Sequence, residues 1–136
     1  MSQENVEIAG RWMASFVDDP DAFRDTLHPE IEWFPFEDNY SPSHGIDAAM
    51  RIRNHWLEAW EEMQEDLEEV HDEGDGVVVS FHTTSRGKTS GVEVDVRLHI
   101  HFKIRDGKIV YVFEHTDKAA ALKALGLSEQ DAHADS

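Results

Sequence analysis

The sequence contains no cysteine among its 136 residues. That absence excludes disulfide bonds, thiolate metal sites and a cysteine nucleophile. No apolar run approaches the roughly 20 residues that a membrane-spanning helix requires. The first ten residues show no basic stretch followed by an apolar core, so we expect no signal peptide. These features together predict a cytoplasmic protein.

Basic residues are scarce. The chain carries 12 Lys and Arg residues against 29 Asp and Glu residues, a formal net charge of −17. Nucleic-acid binding requires basic side chains that neutralise phosphates, and anionic membranes attract basic segments. We therefore expect neither nucleic acid nor membrane as a partner. Glycine-rich phosphate loops and nucleophile-elbow motifs are also missing, so we expect no cofactor.

The stretch at 92–117 organises the rest of the chain. Two long runs with period-two alternation flank Asp106 and Gly107, a pair typical of a tight hairpin turn. His99 and His101 belong to the polar row of the first run. The apolar row of that run consists of Val92, Val94, Val96, Leu98, Ile100, Phe102 and Ile104. This pattern predicts two long antiparallel strands.

The hairpin can adopt two registers. A two-residue turn pairs Arg105 with Lys108 and sets His99 opposite Glu114. A three-residue loop with a bulge at Gly107 shifts the pairing by one residue and sets Leu98 opposite Glu114. Since a one-residue slip moves a strand's side chains to the other face, the register decides whether Glu114 joins the histidines or the apolar row.

Three helices are predicted upstream of the hairpin and one after it. An apolar stripe over residues 6–17 predicts the first, for which Ser2 is the candidate cap. Asp19 and Pro20 suit the start of a short second helix. Residues 46–63 predict a long third helix, and Asp117 caps a last helix that ends at Gly126.

Shorter strands precede the hairpin. Residues 31–36 are apolar and aromatic, with Pro35 marking an edge or an end, and residues 76–86 are rich in β-branched side chains. Residues 58–75 contain ten acidic residues and no Lys or Arg. We interpret that tract as a solvated helix end leading into an exposed strand, because the ligand spacing and central glycine of a calcium loop are absent.

This order of elements predicts an α+β fold in which helices cover one side of a bent antiparallel sheet, forming a cone with an interior pocket.

Four segments of the sequence carry a resemblance to a known protein family: SQENVEIAGRWMASF, HPEIEW, SHGIDAAMRIRNHWLEAWEEM and IRDGKIVYVFEHTDKAAALKALGL. Through them the chain resembles the SnoaL-like polyketide cyclase family of the nuclear transport factor 2-like superfamily. The resemblance spans about residues 3–127, which indicates one domain (residues 1–127) followed by a disordered tail at 128–136.

The resemblance implies a cone-shaped fold with a deep pocket, commonly assembled as a dimer through the sheet. It also implies that Glu114 points into that pocket beside Val110 and Val112, which favours the bulged register. Leu98 and Ile100 would then be inside as well, with His99 and His101 on the outer face. The pocket histidine of the family's cyclases matches Ile100, which is a departure from their pattern.

Two residues are the candidate catalytic groups. Glu114 among apolar side chains should have a raised pKa, as a general acid or base near neutrality requires. The resemblance turns the face of His82 inward, where its imidazole could exchange protons with Glu114. Each residue also has a structural interpretation: a buried acid paired with His or Arg, and a satisfied core histidine.

Further residues are candidates for contacting the ligand, which we expect to be a small apolar or aromatic molecule. They are Trp33, Tyr40, His44, Arg53, Trp56, Trp60, Leu98, Ile100 and Val112. Two imidazoles at His99 and His101 could hold a metal, but no matching acid stands at a clear spacing, so we expect no metal site.

The leading hypothesis is a SnoaL-like small-molecule enzyme that performs acid–base chemistry on an apolar substrate, of the isomerase, cyclase, dehydratase or epoxide hydrolase type. The alternative is a non-catalytic ligand-binding or dimerisation domain of the same fold. The row of Ile109, Tyr111 and Phe113 would be exposed in an isolated domain, which predicts a homodimer through the outer sheet face.

Overall fold

The computed structural model describes residues 3–36 and 42–127. The elements follow one another as α1 (Gln3–Ser15), α2 (Pro20–Asp25), β1 (Leu27–Phe34), β2 (Ser43–His44), α3 (Ile46–Ala59), β3 (Trp60–Glu73), β4 (Gly76–Gly87), β5 (Glu93–Arg105), β6 (Lys108–His115) and α4 (Lys118–Leu125). Within these ranges no helix is long and apolar enough to cross a membrane. Ser2 and the tail at 128–136 lie outside the described residues.

The six strands form one sheet in the order β2-β1-β6-β5-β4-β3. β1 and β6 run parallel, and the other neighbours are antiparallel. Helices α1, α2 and α3 supply the main core together with one face of the sheet, here called the inner face. Helix α4 packs on the opposite, outer face through Ala121 and Leu125 against Val78. The structure therefore has the predicted α+β architecture.

Two of the predicted helix ends are confirmed by hydrogen bonds. The Asp19 side chain accepts a bond from the Ala22 backbone N–H at 3.1 Å, with Pro20 at the first helical position. Asp117 caps α4 in the same way through the Ala119 N–H at 3.1 Å. Gly126 then ends α4 in the left-handed conformation, φ 98°, which glycine adopts without steric cost.

Two element boundaries differ from the prediction. Helix α3 ends at Ala59 and not at residue 63, because the carboxylates that follow are unfavourable at the negative end of a helix dipole. Those residues instead extend β3, which pairs with β4 along its length as an exposed edge strand. Strand β1 begins at Leu27, earlier than expected, and Pro29 falls where its pairing with β6 is irregular.

The hairpin differs from both predicted registers. Asp106 and Gly107 form a two-residue turn with positive φ angles of 55° and 73°, so Arg105 pairs with Lys108. The bulge lies further along, in β6, where Val110 is the extra residue. Beyond it the pairing has shifted by one, and Ile100 stands opposite Glu114.

The Val110 bulge sets the face of every later residue in β6. Glu114 and Val112 face inward, as the family resemblance implied, although the predicted bulge at Gly107 was wrong. Ile109 lies before the bulge and is 0% exposed in the core, so its predicted place in an exposed row was wrong. Val110 is half-buried and does not line the inner cleft, contrary to expectation.

Candidate functional site

A cleft lies between helices α1 and α3 and the inner face of the sheet. Its apolar walls share an aromatic or flexible aliphatic character and comprise Trp12, Met13, Phe16, Trp33, Pro35, Phe36, Ile52, Trp56, Met63, Phe81, Leu98 and Ile100. Among the described residues, three polar side chains interrupt these walls: Glu65, Thr83 and Glu114. The cleft therefore combines a hydrophobic lining with few polar groups, which is typical of small-molecule sites.

Glu114 is fixed at the sheet end of the cleft. Its Oε2 accepts a hydrogen bond from Trp33 Nε1–H at 2.6 Å, and its Oε1 accepts one from the Phe36 backbone N–H at 3.1 Å. The residue is 8% exposed. An N–H donor at each oxygen suits an ionised carboxylate, which has acceptor sites on both. These bonds hold the carboxyl in one orientation.

Glu65 is a second carboxyl in the same cleft, projecting from β3. Its backbone pairs with Thr83 in β4, and both side chains line the cleft. By accessible surface Glu65 is an exposed residue, because the cleft is open at this point, yet the surrounding protein atoms desolvate its carboxyl and raise its pKa to about 7. A carboxyl with that pKa can both accept and donate a proton near neutral pH.

The structure does not place His82 in the cleft. Its neighbours Phe81 and Thr83 line the cleft, so alternation along β4 turns His82 to the outer face. There its Nε2 contacts Asp95 Oδ1 at 2.5 Å. The prediction failed because it assigned the even-numbered residues of this strand to the inner face.

Arg53 is buried on the inner side of α3, as predicted, but it is not among the described residues that line the cleft. Its Nε donates to the Phe16 carbonyl at 2.7 Å, and its Nη2 to the Val17 carbonyl at 3.2 Å. These carbonyls lie just beyond the end of α1, where helix geometry leaves acceptors unsatisfied. Arg53 therefore joins α3 to the chain that follows α1.

The remaining predicted contacts divide into those that line the cleft and those that do not. Trp33, Trp56, Leu98 and Ile100 line it. Trp60 lies outside and packs on Trp56, with ring centroids 5.2 Å apart. Val112 is enclosed in the core behind the cleft, and exposed His44 pairs with Glu32 at 3.4 Å. Tyr40 lies outside the described residues.

The outer-face histidines form a separate group beneath and beside α4. Ser80 Oγ and His99 Nδ1 are hydrogen-bonded at 2.7 Å. His101 is 2% exposed, and its Nδ1 has no hydrogen-bond partner among residues 3–36 and 42–127. Across those same ranges, no three His, Cys, Asp or Glu side chains gather as a metal site would require.

A family model for the SnoaL-like domain matches residues 10–112. The chain belongs to the SnoaL-like domain family. No curated protein sequence matches it. Among solved structures, a protein from Jannaschia sp. CCS1, described as a candidate SnoaL-like polyketide cyclase, is 26% identical. The alignment covers 92% of this chain and 93% of that one, with a TM-score of 0.77.

Two more distant structures share the fold. A Catenulispora acidiphila protein with a ketosteroid isomerase-like fold, crystallised with trimethylamine, is 14% identical over 91% of this chain and 95% of that one, with a TM-score of 0.72. AclR from Streptomyces galilaeus, described as a candidate hydroxylase, is 17% identical over 93% and 83%, with a TM-score of 0.70. The SnoaL-like family is, in general terms, one of small-molecule enzymes.

Within this SnoaL-like domain, sequence reasoning missed Glu65. It was one of ten acidic residues in a tract that was interpreted as solvated, and nothing in composition separates it from its neighbours. The usable signal was the spacing of Met63, Glu65 and Leu67: they occupy every second position, so in a strand their side chains share one face. That signal was hidden because the tract was expected to begin as a helix.

Proposed function

We propose that this SnoaL-like domain is an enzyme that moves a proton on a small apolar substrate, with Glu65 as the titrating acid or base. The observation that carries the proposal is a carboxyl whose pKa is raised by burial to about 7 in a largely apolar cleft. A pKa near the working pH is what general acid–base catalysis requires, and perturbed values concentrate at functional sites.

Glu114 has a complementary role in this proposal. The N–H groups of Trp33 and Phe36 keep it oriented and suit its charged form. Two carboxyls in one cleft can then divide the work, one fixed as a carboxylate and the other gaining or losing the proton. The substrate places its reacting carbon or oxygen between them, while the aromatic walls hold its apolar body.

The reaction types open to such a site are isomerisation, cyclisation, dehydration and epoxide opening. The description of the Jannaschia relative as a candidate polyketide cyclase supports cyclisation among these types. Net charge and composition agree with the expected cytoplasmic location, which stays a proposal. A non-catalytic binding domain is the competing interpretation, and the following experiment separates the two.

The test uses ring opening of 5-nitrobenzisoxazole, a flat neutral probe whose coloured product reports abstraction of a carbon-bound proton. The rate should rise with pH through about 7, because the base works in its ionised form. Glu65→Gln should lower the rate by about two to four orders of magnitude and abolish that pH step. Asp66→Asn, one residue along the same strand, is the matched control and should leave the rate unchanged.

Glu114→Gln tests the second carboxyl. A glutamine side chain has one acceptor oxygen, so it cannot accept from both Trp33 Nε1–H and the Phe36 N–H as the carboxylate does. We expect a lower rate together with a loss of about 1–3 kcal/mol in the free energy of unfolding. Rates that are equal in wild type, Glu65→Gln and Glu114→Gln would leave the domain as a binding module.

A further inference from the structure

The inner cleft is small for a complete ligand. Its volume is about 50 Å³, whereas pockets that enclose drug-sized molecules measure roughly 300–1,000 Å³. An elongated substrate therefore cannot be enclosed by the cleft alone, and part of it has to lie elsewhere. The space that adjoins the cleft decides where the rest of the substrate can lie.

A second, open hollow adjoins the cleft between α1 and the strands β3 and β4. We call it the outer groove, although its strand residues Val79 and Phe81 belong to the inner face of the sheet. Its volume is about 390 Å³, and it is lined largely by apolar residues. Leu67 and Val70 lie in its floor and are 65% and 40% exposed, although both are large hydrophobic side chains. Apolar surface of this kind next to a binding cleft indicates contact with an apolar partner.

The outer groove and the cleft are continuous. Met13, Glu65 and Phe81 line both of them. A molecule that passes these three side chains runs from the cleft directly into the groove. Met13 is unbranched and flexible, so it can move aside to widen the passage. Glu65 therefore stands at the junction and not at the closed end of the site.

We propose that the outer groove binds the apolar tail of the substrate whose reacting end occupies the cleft. This inference rests on the proposed function and specifies its substrate class: an elongated molecule with a small neutral polar head and an apolar tail. Two carboxyls in the cleft and a net charge of −17 disfavour an anionic head. The tail lies along α1, over Leu67 and Val70.

Gly10 provides a clean way to block the groove. It lies on α1 in the groove lining, and a Cβ added there meets no atom within 4 Å. The side chain of Gly10→Leu thus enters open space in the groove, and leucine is a better helix former than glycine. Gly10→Ala is the matched control, since it adds only a methyl group at the same position.

The probes are 4-alkylphenols from methyl to octyl, with binding measured by calorimetry. In wild type and Gly10→Ala, affinity should rise roughly fourfold for each methylene that becomes buried in the groove. In Gly10→Leu, 4-methylphenol should bind as in wild type while the dependence on chain length disappears. Leu67→Ser, at a largely exposed position, should weaken the chain-length dependence, whereas Val92→Ser, which lines neither hollow, should not.

Three results would overturn the tail subsite: no dependence on chain length in wild type, equal dependence in wild type and Gly10→Leu, or no binding of any alkylphenol. A change of sedimenting mass in Leu67→Ser would also overturn it, because the groove would then be an interface between copies. If the chain-length effect is absent but pH-dependent ring opening is intact, only the tail subsite is contradicted. If the chain-length effect is present but ring opening does not depend on Glu65, only the catalytic proposal is contradicted.

Discussion

The two faces of the sheet carry titratable groups in opposite settings. On the inner face, Glu65 and Glu114 open into a cleft that a ligand can enter. On the outer face, His99 and His101 are buried on the side of the sheet that α4 covers. The same backbone produces both settings, because side chains alternate between the faces of a strand. Alternation places titratable side chains on both faces of the sheet, and the elements that cover each face decide whether those side chains are accessible to a ligand.

Burial acts on the two faces in opposite directions. It raises the pKa of Glu65 to about 7 and, with help from Lys103 and His115, lowers the pKa of His101 to about 4. In both cases the uncharged form is favoured. At neutral pH, however, Glu65 is poised to exchange a proton and His101 is not. This contrast is why the inner face, and not the histidine-rich outer one, is the candidate active site.

Insertion of one alanine after Tyr111 should break the comparison most severely. The added residue shifts the pairing of each later residue of β6 with β5 by one position, which sends Glu114 outward and Phe113 into the core. We expect a loss of more than about 4 kcal/mol in the free energy of unfolding, because a whole strand segment is inverted. Val110→Ala keeps the residue count and should cost far less. Urea denaturation of both variants measures the difference.

A substitution on the outer face should separate two copies of the chain. We propose that the homodimer forms through Phe34, Tyr111 and Phe113, half-buried rings of which Phe34 lies 5.6 Å from Tyr111 and 5.3 Å from Phe113. Phe113→Asp should raise the dissociation constant at least about thirtyfold, as loss of a 2 kcal/mol hot spot would. Sedimentation at micromolar concentration measures the shift. A wild-type protein that sediments as a monomer there would contradict the proposal.

Acid should destabilise the outer face through His101. Its folded-state pKa of about 4 lies below the ordinary value of 6.5, so the unfolded chain takes up the proton first. Stability attributable to the neutral ring is therefore present above pH 6.5 and is lost as pH falls toward about 4. The melting temperature of wild type relative to His101→Gln should fall over that window. A pH-independent difference between the two proteins would refute this account.

The smallest effect should come from Glu65→Gln on stability. Since the folded-state pKa of Glu65 is raised to about 7, the unfolded chain favours its ionised form at higher pH. Replacing the carboxyl with a neutral amide removes that cost, so the variant should melt slightly higher than wild type above pH 7. We expect a gain below about 1 kcal/mol, or roughly 4 °C, because the site is open to solvent. Below pH 4.5 the gain should vanish.

Local signals in the sequence predicted much of the fold. Asp19, Asp117 and Gly126 carry their own physical reasons for ending or starting helices, and those ends were confirmed. The inward face of Glu114 came from family resemblance, because the bulge at Val110 has no local marker in a run of β-branched and aromatic residues. The predicted positions of His82 and Arg53 in the cleft were wrong for a related reason. The face on which a side chain lies and the partner that it contacts depend on tertiary contacts.

The acidic edge strand β3 affects whether copies of the chain associate in solution. It is an edge strand of 14 residues, eight of them Glu or Asp. Long edges invite strand pairing between molecules, and evenly distributed charge discourages it. Two β3 edges laid side by side would bring carboxylates to within about 5 Å of one another, a destabilising arrangement. The excess negative charge thus serves as a barrier against fibre-like assembly, positioned where the sheet would otherwise continue.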